Sequence, residues 1–305
     1  MPVVVAHSLA EAFAALALHP EAELLAGGTD FMVEVNAGRR RPAAVVSIRD
    51  VPELRGWRVE GPDVVLGAGL TYSEMLEPEL EALVPGLAQA ARTVGSPQIR
   101  NSGTIGGNLA TASPAGDTIP VLVALDALVG IASAAGPPRE VPVSRLLTGP
   151  KTTSLGPGDV ITSVRIPASL GRQEFLKVGT RNAMIIAIAS VACVVDAAGR
   201  SVRMALGSVG RVVIRAGEAE QMLGSLIDWD GPSGPALPPT PRPGPGSGSA
   251  SAAGLGEVVA AVRAAAQPID DHRATAAYRR HAVGVCAERA LRRALGPPGG
   301  MRGAA

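Results

Sequence analysis

Aromatic side chains are nearly missing from this chain, which has three Phe, two Trp and two Tyr among 305 residues. With 47% of the residues apolar, core packing falls to Ala, Val, Leu and Ile, and a planar ligand buried here finds few rings to stack on. Cysteine is as scarce. Cys193 and Cys286 lie far apart and form no paired motif, and the four histidines (His7, His19, His272, His281) show no ligand spacing, so iron–sulfur and zinc sites are not expected on this chain. Cys193 sits in the apolar run 184–195 and reads as an inert buried thiol. Charge of one sign is lacking too. With 28 basic against 27 acidic residues the net charge is +1, which offers no field for nucleic acid or an anionic membrane. Of the basic residues only Lys151 and Lys177 are lysines. No apolar run reaches the ~18 residues of a membrane span, and no basic stretch precedes Val3-Val4-Val5 as in a secretory leader. The expectation is a cytoplasmic protein with no membrane span.

What is present alternates between strand and helix signals. Ser8 followed by Glu11 is a capping box, with Leu9, Phe13 and Leu16 at helical spacing behind it. Leu24-Leu25 reads as a short buried strand running into Ala26-Gly27-Gly28-Thr29-Asp30, then a helix from Phe31 to a stop at Gly38. Val45 to Ile48 and Val64 to Leu66 are further strands, and Thr71 with Glu74 caps another helix. After a helix around 87–93, residues 95–117 show little periodicity and read as a long loop ordered around something. From about Arg172 the pattern changes to longer strands, 175–178, 185–195 and 202–206, with a turn at Ala198-Gly199-Arg200.

Residues 231–254 hold seven prolines and six glycines in 24 positions and read as a linker that builds no core. Helices are expected beyond it at 256–265 and 270–295. In the last, Tyr278, Ala282, Val285, Cys286 and Ala290 share one face, while Arg279, Arg280, Arg289, Arg292 and Arg293 read as a solvated face.

Two glycine-rich loops carry the chemistry. A strand ending in Ala-Gly-Gly-Thr-Asp lets backbone N–H groups converge without Cβ atoms in the way, ahead of a helix, and that suits a phosphate or pyrophosphate. The same residues also suit a tight strand–helix turn with Asp30 as the cap. Thr104-Ile105-Gly106-Gly107-Asn108 offers bare amides a second time, followed by Thr111, Ser113 and Asp117, whose carboxylate suits a polyol. Two such loops suit a long dinucleotide gripped at its pyrophosphate. Neither is a Rossmann or Walker A sequence.

The segments LLAGGTDF (24–31), IRNSGTIGGNLATASPAGD (99–117) and FLKVGTRNAMIIAIA (175–189) resemble the FAD-binding subunit of the molybdenum hydroxylase family, which includes xanthine dehydrogenase and the medium subunit of aerobic carbon monoxide dehydrogenase. DDHRATAAYRRHAVGVCAERAL (270–291) resembles that family's C-terminal flavoprotein domain. The resemblance implies an α+β fold. A two-lobed FAD-binding domain of PCMH type would span 1–169, with lobes at about 1–54 and 55–169, and a smaller α+β domain would span 170–295. It implies FAD as cofactor, with Leu24, Leu25, Ala26, Gly27, Gly28, Thr29, Asp30 and Phe31 wrapping the pyrophosphate. Thr104, Ile105, Gly106, Gly107 and Asn108 would close on it. Asp117 would hold cofactor hydroxyls, Ile161 would pack near the ring system and Lys177 would place a cation near the flavin. A cation there also stabilises the reduced ring; the plainer reading of Lys177 is a surface lysine beside a strand. No catalytic acid–base residue is assigned. The implied partners are a large molybdenum-cofactor subunit, a small iron–sulfur subunit and an external electron acceptor.

The expected function is therefore FAD-dependent electron transfer within such a complex. Positions 181–184 (Arg-Asn-Ala-Met) lean toward xanthine or purine hydroxylation rather than carbon monoxide oxidation. A carbon monoxide dehydrogenase medium subunit, a self-sufficient flavin oxidoreductase and a docking subunit without flavin are the alternatives.

Overall fold

The computed structural model describes residues 2–167, 171–181, 184–231, 234–237 and 250–296. The chain forms two compact units. The first comprises Met1–Leu83, Val94–Ser113 and Asp126–Ala168, and the second Val84–Thr93, Pro114–Leu125 and Ser169–Ala305. Helix and strand are mixed in both, as the α+β expectation requires.

The first unit opens with a parallel three-stranded sheet. β1 (Val3–Val5) and β2 (Glu23–Leu25) flank β3 (Val45–Ser47), with Val4 and Leu24 both opposite Val46. Between β1 and β2 runs helix α1 (Leu9–Leu18), which has Ser8 as its predicted cap, though the Glu11 carboxylate reaches one residue beyond it. Ser8 Oγ accepts from the Glu11 amide at 3.1 Å, and the Glu11 carboxylate accepts from the amide of His7 at 2.8 Å. Leu24 and Leu25 are half-buried rather than buried, because β2 is a sheet edge. Five further strands, β4 (Trp57–Glu60), β5 (Asp63–Gly67), β6 (Leu128–Ser133), β7 (Gly136–Pro142) and β10 (Asp159–Pro167), form an antiparallel sheet in the order β4-β5-β10-β6-β7. Between β7 and β10 lies a small hairpin of β8 (Leu147–Gly149) and β9 (Thr152–Thr153). Val64, Leu66, Val129, Ile131, Val160 and Val164 fill the core of this sheet.

The expected loop over 95–117 is instead partly helical. Pro97–Ser102 and Ile105–Thr111 are short helices capped by the hydroxyls of Ser96 and Thr104. Seven residues or fewer, with glycine or serine inside, leave too little periodicity to read.

The second unit has an antiparallel sheet of β11 (Arg172–Val178), β12 (Ala189–Asp196), β13 (Ser201–Gly207) and β14 (Ile214–Arg215). Every residue of β12 from Ala189 to Val195 is buried, which explains its unbroken apolar run. Helices Pro85–Arg92, Ile119–Ala124, Gly217–Leu226, Ala250–Ala265 and Ala276–Leu295 belong to this unit. Alanine takes the place of the missing aromatics: Ala282, Ala287, Ala290 and Ala294 bring the last helix close against Cys193, Met204 and Val262 in one cluster. Burial pushes the Cys193 thiol up to about 12, as an inert thiol requires.

Four expectations here are corrected. The last helix starts at Ala276, capped by Thr275, not at 270, because Asp270 and Asp271 spend their carboxylates on Ala276, Arg273 and Arg279. Its arginines are not all solvated. Arg279 is buried, and its guanidinium donates to the Ile188 and Ser208 carbonyls, each at 2.9 Å, and to Asp271 at 2.7 Å. The apolar face is Ala282, Val283, Cys286, Ala287, Ala290 and Leu291, leaving Tyr278 exposed and Val285 half-buried. The helix expected from 256 begins at Ala250, inside the stretch read as linker. Of that stretch Ala236 forms a bridge to Asp228, while 232–233 and 238–249 lie outside the described residues. Among the described residues no helix is long and apolar enough to cross a membrane, and no cluster of metal-ligating side chains occurs.

Candidate functional site

The Ala26–Asp30 loop joins β2 to the helix Phe31–Asn36. Its two glycines answer different demands. Gly28 has φ +73°, a left-handed conformation that side chains rarely adopt. Gly27 lies so close to the neighbouring helix that a Cβ would stand 1.8 Å from the Ser102 carbonyl oxygen. The first loop therefore meets, backbone to backbone, the end of the helix that leads into the second.

Within the described residues, no acceptor takes the amides of Ala26, Gly27, Gly28, Thr29 or Asp30. Five successive N–H groups, half-exposed apart from the more open Asp30, form an electropositive strip that an anion satisfies. Asp30 is the N-cap residue of the helix that follows, but its side chain makes no capping bond. Phe31 is buried, and the Arg40 guanidinium lies 4.5 Å from its ring centroid while pairing with Glu23.

The second loop behaves differently. Its amides are not bare: Ile105 donates to Leu70 O, Gly106 to Ala68 O, Gly107 to Thr104 Oγ1 and Asn108 to Thr104 O. Gly106 is needed for packing, since a Cβ there would stand 2.8 Å from both Cβ and O of Ala68. At Gly107 a Cβ would meet only Thr104 Oγ1, at 3.0 Å. Ile161 is buried in β10, and the adjoining Thr162 carbonyl accepts from Ala68 at 2.9 Å, which ties this strand to the loop through one residue.

Asp117 and Lys177 meet in the second unit. Lys177 Nζ donates to Asp117 Oδ2 at 2.7 Å and to the Thr93 carbonyl at 3.2 Å, and both side chains are almost fully buried. Lys177 is thus no surface lysine. Burial pushes the Asp117 carboxyl up to about 6, against the downward pull of the Lys177 ammonium and the Thr93 hydroxyl. Asp117 Oδ1 is buried without a hydrogen-bond partner. Of positions 181–184, Asn182 and Ala183 lie outside the described residues, and Met184 is exposed at φ +51°.

Sequence reasoning missed Thr93, whose part depends on a fold-back no local pattern announces. Lys151 stands out in the sequence only as one of two lysines, and the bond of its amide to the Ala112 carbonyl follows from the fold.

Residues 1–169 match the family model described as the FAD binding domain in molybdopterin dehydrogenase. The chain belongs to that family. Among relatives of this FAD-binding family, it is 34% identical over 210 residues to the nicotinate dehydrogenase FAD-subunit of Eubacterium barkeri, covering 66% of this chain and 71% of that one. It is 32% identical over 225 residues to the xanthine dehydrogenase FAD-binding subunit of Escherichia coli O157:H7, covering 71% and 76%. A chain in the solved structure of reconstituted CO dehydrogenase from Oligotropha carboxidovorans superposes with a TM-score of 0.83 at 29% identity, over 96% of this chain and 97% of that one. The residues present fit the family's cofactor. A pyrophosphate carries acceptors on every side, and the unaccepted amides of Ala26–Asp30 are the donors that such a group requires.

Proposed function

We propose that this chain is the FAD-carrying electron-transfer subunit of a molybdenum hydroxylase complex, with a large molybdenum-cofactor subunit and a small iron–sulfur subunit as partners. Electrons would arrive from the iron–sulfur clusters and leave to an external acceptor. The observation that carries the reading is the strip of five amides from Ala26 to Asp30 with no acceptor among the described residues. When bound, FAD supplies a group that exchanges electrons singly or in pairs. The chain's own residues bind and orient it. The Ala26–Asp30 amides hold the pyrophosphate, the Gly27–Ser102 approach fixes the loop, and buried Phe31 anchors the helix behind it.

For the substrate of the complex we place purines first. The Arg181 to Met184 form and the relatives named for xanthine and nicotinate support a nitrogen heterocycle. Carbon monoxide is the second reading, supported by the near full-length likeness to a CO dehydrogenase chain. The test is reconstitution. Purified chain should carry about one acid-extractable FAD and oxidise no substrate alone, then support turnover of xanthine, nicotinate or carbon monoxide once molybdenum and iron–sulfur subunits are added. Turnover by the isolated chain at the rate of the complex would replace this reading with a self-sufficient flavoenzyme.

A further inference from the structure

We infer that Lys151 is a positioning residue that holds the two glycine-rich loops in register from behind. Lys151 stands at the tip of the β8–β9 hairpin with φ +56°, an unusual conformation for a residue with a side chain. Its backbone N–H donates to the Ala112 carbonyl at 3.0 Å, and Ala112, itself at φ +47°, is the C-terminal cap of the helix Ile105–Thr111. Its ammonium donates to Glu34 Oε1 at 3.3 Å, on the helix Phe31–Asn36. Each of those anchors is one hydrogen bond from a loop. The Glu34 amide donates to the Asp30 carbonyl, and the Ala112 amide to the Asn108 carbonyl.

One residue thereby joins the end of the Ala26–Asp30 loop to the end of the Thr104–Asn108 loop. A cation near the carboxyl ends of both helices also suits their dipoles. Arg39 shares Glu34 through the other carboxylate oxygen, at 2.8 Å, but its backbone belongs to the segment following the helix Phe31–Asn36 and donates to the Glu34 carbonyl, not to the second loop. Lys151 alone makes the connection among the described residues that contact Glu34. The Lys151 side chain is 60% exposed, which sets the scale of the effect: a bias on loop spacing rather than a pillar of the fold.

The inference rests on the reading that FAD occupies the first loop, and the test separates the two. FAD dissociation constants and melting temperatures are measured for wild type and for Lys151→Met, Lys151→Gly and Lys151→Arg. Losing the ammonium should weaken FAD binding by about three- to fivefold, the scale of one exposed ion pair. Arg should restore it. Glycine relieves the left-handed backbone, so Lys151→Gly should melt at or above the wild-type temperature while binding FAD more weakly. A purely structural lysine would move both quantities the same way. Wild-type FAD affinity in the Met and Gly variants, or affinity lost only in step with melting temperature, overturns the inference. Wild-type chain that takes up no FAD overturns the underlying reading instead.

Discussion

Replacing Gly27 by alanine adds one methyl group at the tightest point between the loops. That methyl would lie 1.8 Å from the Ser102 oxygen, 2.6 Å from the Ser102 carbonyl carbon and 3.1 Å from Gly103 Cα. A carbon and a carbonyl oxygen rest at about 3.3 Å or more, so the loops must part by about 1.5 Å. The obstacle is backbone, and no side-chain rotation relieves it. Overpacking of this kind costs about 1–3 kcal/mol. The greater consequence falls on the cofactor, since the unaccepted amides of Ala26–Asp30 are displaced with the loop. Displacements near 1 Å at a binding constellation are worth up to about 100-fold, and FAD affinity should fall by about 10- to 100-fold. Flavin absorbance per chain after gel filtration gives retention, fluorescence quenching of added FAD gives the dissociation constant, and thermal melting reports the packing cost. Gly27→Ala protein that binds FAD within threefold of wild type would refute the argument, because the added methyl would then be absorbed without moving the amides.

Two other perturbations probe the second unit. Arg279→Met should destabilise it by about 3–5 kcal/mol, since the Ile188 and Ser208 carbonyls and Asp271 lose buried donors together; urea unfolding showing a loss under about 1 kcal/mol, a single ordinary hydrogen bond, would contradict this. Asp117 gives a pH signature. Its carboxyl is raised by burial to about 6, above the unfolded value of about 3.9, so the folded chain binds the extra proton between those limits. That contribution to stability is present below about pH 4 and lost as pH rises through 6. Stability of wild type relative to Asp117→Asn should therefore decline from pH 4 to 6, and a constant difference would remove the assigned shift.

Legibility in the sequence followed the range of the interactions. Capping boxes are local chemistry: the Thr71/Glu74 pair formed reciprocally, but ahead of a single 3-10 turn at Glu74–Leu76 and not a helix, while at Ser8/Glu11 the carboxylate took the His7 amide. The strands β11 to β13 were visible as apolar runs between turns. The glycine positions were readable too, but not their reasons. Gly27 and Gly106 serve backbone approach to Ser102 and Ala68, partners 75 and 38 residues away that no window contains. The bare amides expected in the second loop are taken by Leu70 and Ala68, again from a distant segment. Arg279 shows the same limit. Its spacing placed it among solvated arginines, and only the folded chain brings Ile188, Ser208 and Asp271 around it. Lys177 was singled out for its rarity, yet its partner Asp117 became evident only when β11 met the segment before Ile119.

The composition of the second unit also sets an order of events during synthesis. Helices Pro85–Arg92 and Ile119–Ala124 bury Leu87, Ala88, Ile119, Val121 and Leu122. Their partners within that unit are strands β11 to β14, the first of which begins at Arg172. At ribosomal speeds of 5–20 residues per second, the stretch from Leu125 to Arg172 takes about 2–9 s to emerge. For that interval these two apolar helices have only each other from their own unit, and the sheet that covers them is still to be made. Closure of that unit waits longer still, because its core also takes Leu223, Val262, Val283 and Leu291 from helices made after β13.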